Sequence, residues 1–179
     1  MPNIYKEIYE LIKKGNKEEA KKRLEKLEIT SHNEISIQML QNYIKEQEYL
    51  SSLTEEQLDE YNKILETGHR LYKERKNQEA LDVYRVGEFL YNTPRFKYYI
   101  GKMYYKMHDY DAAFQYLNEY ANTGSDKMPK AYLYLYKISQ CLKLSDELDM
   151  LDQLDRLNGD FHPDFKLRTD EIKKIKSRQ

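Results

Sequence analysis

Tryptophan is absent from this chain, cysteine occurs once, and proline and glycine number only four and six in 179 residues. A lone Cys141 excludes an intrachain disulfide, so nothing here asks for an oxidising compartment. So little proline and glycine favours long uninterrupted helices. Neither sign of charge dominates: 30 Lys and Arg face 31 Asp and Glu, a net charge of -1. That balance gives no general pull toward nucleic acid or an anionic membrane. Apolar stretches such as Ala131–Tyr136 are far shorter than the ~20 residues of a membrane helix. The opening MPNIYKEIYE mixes charges with its first apolar residues and holds no secretory core, so the expected location is cytoplasmic, with no membrane partner.

Tyrosine, by contrast, occurs 18 times. Its apolar ring and polar tip suit the edge of a core or the wall of a groove. Local punctuation divides the chain into about ten helices and leaves no credible strand. Asn3 is a cap for the first helix, which Gly15-Asn16 ends, and a second runs from Lys17 to about Glu28. Ser31 and Glu34, then Thr54 and Gln57, have the spacing of capping boxes that open two longer helices. Lys76-Asn77, Thr93-Pro94, His108-Asp109, Gly124 and Met128-Pro129 mark the next boundaries. Further helices are expected from Ser145 to Gly159 and from Pro163 onward.

The strongest signal is self-similarity. Gly68, Leu71, Ala80 and Tyr84 stand in register with Gly101, Tyr104, Ala113 and Leu117, each pair 33 positions apart. Glycine on one helix and alanine on the next let two antiparallel backbones approach, while the large residues fill the space beside them. Such a short pair cannot bury its apolar face alone and must stack on copies of itself.

With Gly68, Ala80, Tyr84 and Gly87 in residues 61–93, and Ile100, Gly101, Tyr104, Ala113 and Leu117 in 94–127, the chain resembles the tetratricopeptide repeat family. Ile64 and Lys97 stand where that family's pattern has tryptophan. Residues 128–161 resemble a degenerate copy, with Leu135 for the glycine and Glu147 for the alanine. The resemblance implies an all-α fold: a right-handed superhelical stack of antiparallel helix pairs. The expected organisation is an N-terminal hairpin plus an inserted long helix in 1–60, repeats in 61–161, and a capping helix in 162–179.

No catalytic constellation is present: no glycine-rich phosphate loop, no HExxH, no GxSxG and no acidic calcium loop. The four histidines are too scattered for a metal site, and no cofactor is expected. Cys141 reads as a small buried hydrophobe. Asp149, Asp152 and Asp155 read as the solvated face of an amphipathic helix rather than a metal site.

In the family it resembles, the first helix of each pair lines a concave surface where peptides lie. Carried over, that surface consists of His69, Tyr72 and Lys73, then Arg95, Tyr98, Lys102, Tyr105 and Lys106, then Tyr132 and Tyr136. Asn62, Leu65, Ser139 and Gln140 accompany them. Leu65 and Tyr98 stand where the family's carboxylate clamp would have lysine, which argues against a receptor for chaperone tails. The resemblance thus implies a non-catalytic interaction module for a peptide or protein with acidic and apolar side chains. Two other readings stay open: the face is solvated, or the chain's own N-terminal helices occupy it. Alternative functions are a peptide-sensing regulator of the same class and, less favoured, an RNA-binding helical repeat. Self-association is compatible with the exposed tyrosines.

Overall fold

Asn3 opens the molecule by accepting the N–H groups of Tyr5 and Lys6 on its side-chain oxygen, which satisfies donors of the first helical turn. In this computed structural model the described residues are 3–142 and Ser177, and they are all-helical, with no strand among them. Eight helices are described: α1 (Ile4–Lys13), α2 (Lys17–Glu25), α3 (Glu34–Ser52), α4 (Glu55–Lys73), α5 (Asn77–Leu90), α6 (Arg95–Lys106), α7 (Tyr110–Thr123) and α8 (Met128–Leu142). They match eight of the expected ten in order and, within a few residues, in boundary. The remaining two, at Ser145 and Pro163, lie outside the described residues, as do most of the third repeat copy and the capping helix. None of the described helices is long and apolar enough to cross a membrane.

The connections α1–α2, α4–α5 and α6–α7 close in the same way. Each places one residue in the left-handed region: Gly15 at φ 85°, Arg75 at φ 62° and His108 at φ 63°. The next amide then bonds back five residues, Asn16 to Leu11, Lys76 to Leu71 and Asp109 to Tyr104. This is the helix-ending arrangement that satisfies orphan carbonyls while reversing the chain.

Two cap expectations fare differently. Thr54 and Gln57 form the full reciprocal box at the start of α4. Ser31 does not cap α3. Asn33 instead accepts the Thr30 N–H on its side chain and donates to the Glu28 carbonyl, so 30–33 is a turn and the helix opens two residues later. Pro94 sits just before α6 rather than within it, and Thr93 Oγ1 lies 3.5 Å from the Arg95 N–H.

The repeated glycines meet the residues their spacing implied. Gly68 of α4 lies under the Tyr84 ring of α5, and Gly101 of α6 lies against Leu117 of α7. Ala80 and Ala113 are fully buried. The closest helix pairings fall into two sets. In one, α1, α2 and α3 pack on each other; in the other, α4 to α8 each pack on the next, with α6 also touching α8.

Helix α3 joins the sets by crossing two connections on one edge of the stack. From its N-terminal half, Asn42 Nδ2 donates to the Gly124 carbonyl (2.9 Å). Glu46 reaches Arg95 and Ser125. Near its end, Tyr49 accepts the Asn92 N–H (2.9 Å).

Candidate binding surface

The expected surface residues divide into those that the chain covers and those left toward solvent. His69, Tyr72, Lys73, Lys102, Tyr105 and Lys106, from α4 and α6, belong to the second group. Lys73 and Lys106 are exposed, and the other four are partly buried. The Lys102 ammonium sits 4.2 Å from the centre of the Tyr72 ring, so the two helices present one composite of cation and ring. Tyr105 is flanked by Tyr134 of α8 (4.8 Å between ring centres) and Tyr110 of α7 (5.8 Å). Lys106 lies 5.9 Å from the Tyr105 ring.

His69 anchors this group to the core. Its Nδ1 is 2.7 Å from the Tyr84 hydroxyl, and its ring meets Tyr99 edge-on at 4.6 Å. Tyr84 and Tyr99 stack at 5.1 Å. Burial pushes the His69 pKa below its usual value, and the positive charges of Lys102, Lys127, Arg95 and Lys73 push it the same way. Burial and nearby positive charge therefore both disfavour the protonated imidazole.

Arg95, Tyr98, Tyr132 and Tyr136 depart from the expectation of an open surface. Tyr98 is 1% exposed and packs against Tyr99 and Tyr120 (5.1 and 5.4 Å), which makes it core rather than lining. Tyr132 and Tyr136 are buried in α8, and Ser139 is fully buried below them. Arg95 is covered by the chain itself. Its Nε donates to Glu46 Oε1 (2.7 Å) and its Nη2 to Asp126 Oδ1 (2.8 Å), with side chains 14%, 4% and 17% exposed respectively. Burial opposes the guanidinium charge, but the two carboxylates outweigh it and hold the Arg95 pKa well above normal. The N-terminal helices do occupy part of this edge, one of the readings the sequence left open.

Sequence reasoning missed Glu46, Asn42, Tyr49, Ser125 and Asp126. A signal existed on α3: Asn42, Glu46 and Tyr49 fall four and three residues apart, alongside the apolar stripe of Met39, Tyr43 and Ile44. Polar residues at helix spacing beside a buried stripe ask for polar partners elsewhere. The Cys141 reading also fails: the thiol is exposed, beside the Tyr110 hydroxyl rather than in an apolar pocket. Among the described residues, no three His, Cys, Asp or Glu side chains are grouped to hold a metal ion.

Comparison with known protein families, with characterised proteins and with solved structures finds no match to this chain.

Proposed function

We propose that the chain is a non-catalytic, cytoplasmic interaction module. It holds a peptide or protein segment with acidic and apolar side chains on the face of α4 and α6, within a right-handed superhelical stack of the tetratricopeptide kind. The observation that carries this reading is the composite of Tyr72 under Lys102, with Lys73, Tyr105 and Lys106 on the same two helices. Ammonium groups answer carboxylates, and rigid rings supply contact area at small entropic cost. The stacked architecture is supported by two close approaches at the same spacing, Gly68 on Tyr84 and Gly101 on Leu117.

The test is the double charge reversal Lys102→Glu and Lys106→Glu, with a fluorescent glutamate–tyrosine copolymer as probe. The variant should fold like the wild type by circular dichroism and bind the copolymer more weakly. Equal affinity for both proteins removes the α4–α6 face as the site. Gel shifts with single-stranded RNA across a salt series separate the RNA alternative, since phosphate contacts weaken steeply with salt.

A further inference from the structure

We infer that Arg95 and Ser125 form a carboxylate-receiving site on the α4–α8 stack. Its resident ligand is Glu46 of α3, which an acidic side chain of a partner replaces. The inference rests on the proposed function and adds a second anchor for the same acidic partner.

Glu46 is held as a ligand would be. One oxygen takes the Arg95 Nε hydrogen (2.7 Å), and the other takes the Ser125 hydroxyl hydrogen (2.6 Å). The Glu46 side chain is 4% exposed. Both donors belong to the stack, at the first residue of α6 and in the connection before α8, while Glu46 comes from the other set of helices. A carboxylate from a different chain meets the same two donors.

Charge makes the exchange feasible. Two carboxylates share one guanidinium, so the group carries a net charge of -1. Asp126 lies on the stack itself, 2.8 Å from Arg95 Nη2. Departure of Glu46 therefore leaves Arg95 paired with Asp126, and an incoming carboxylate restores the same net charge. The usual obstacle to opening a buried ion pair, a stranded charge, is absent for the arginine.

Two hydrogen bonds between α3 and the stack are also replaceable. Asn42 to the Gly124 carbonyl and Asn92 to the Tyr49 hydroxyl are neutral hydrogen bonds that water or a peptide backbone can substitute. Helix α3 makes its closest helix packing with α1 and α2, not with the stack. A cavity of about 370 Å³ opens beside the ion pair, between Asn42, Glu46 and Tyr49 of α3 and Asn92, Thr93 and Asn122 of the stack. It leaves one side of Glu46 open to a partner side chain.

The experiment compares the full chain with Glu46→Gln, which keeps the size and removes the charge. Affinity for the glutamate–tyrosine copolymer should rise roughly fivefold or more in the variant, the scale of a typical coupling between sites. In the wild type, added copolymer should speed amide hydrogen exchange across residues 34–52 while α4 to α7 keep their protection. Equal affinity of the two proteins overturns the inference and leaves the proposed function standing. Binding by neither protein removes the proposed function and the inference with it. Should Glu46→Gln fail to fold, the exchange measurement decides alone: α3 staying protected in wild type saturated with copolymer overturns the inference.

Discussion

Gly68 faces Tyr84 so closely that a Cβ on it would sit 2.6 Å from the ring's Cζ, inside van der Waals contact. The ring has little room to yield, because it stacks on Tyr99 and its hydroxyl meets His69. Gly68→Ala should therefore destabilise the fold by about 1–2 kcal/mol, overpacking outweighing the ~1 kcal/mol that alanine gains in a helix. Urea denaturation checks this, and a variant as stable as the wild type would contradict the described pairing of α4 with α5.

At Arg75 the opposite sign is expected. Its φ of 62° is a conformation that glycine adopts without strain, as Gly15 does in the equivalent turn. Arg75→Gly should stabilise the fold by roughly 0.5–1 kcal/mol, the relief of strain exceeding the added freedom of the unfolded chain. A rise in the urea midpoint at unchanged slope is the expected result.

Arg95→Met keeps much of the side chain's bulk but removes the shared cation. Glu46 and Asp126 would then face each other, largely buried, with no counter-charge. A loss of about 3–5 kcal/mol follows, which denaturation at neutral pH measures.

His69 makes stability depend on pH. Its pKa is lowered in the folded chain, so near the ordinary histidine value the unfolded state binds more protons. Its contribution is present above that value and is lost as pH falls through the lowered folded one. His69→Gln removes the titration. Between pH 7.5 and pH 5 the wild type should therefore lose more stability than the variant, read as the difference between their urea midpoints.

The helices were largely legible because their limits are local chemistry. Thr54 with Gln57 and the His108-Asp109 turn act over a few residues, and the 33-residue register of Gly68 with Gly101 carries through to equivalent contacts. The Ser31 box failed at the same local level, since Asn33 made a competing turn. The binding surface was legible in part. Lys102 and Tyr72 stand 30 residues apart, three short of one repeat step, and the repeat places them on corresponding helices. Tyr98 was misplaced because its spacing on α6 suited a groove as well as a core, and packing against Tyr120 of α7 makes it core.

The sequence alone determined that this protein is helical, where most of its helices begin and end, and which small residues let consecutive helices touch. Those properties depend on neighbours along the chain or on one repeat step. Only the tertiary structure decided that α3 crosses the loop edge of the stack and closes over Arg95. That contact joins residues 49 apart for Glu46 and Arg95, and 82 apart for Asn42 and Gly124. No local pattern encodes such a meeting, because it is set by how the apolar faces of two separate groups of helices settle together.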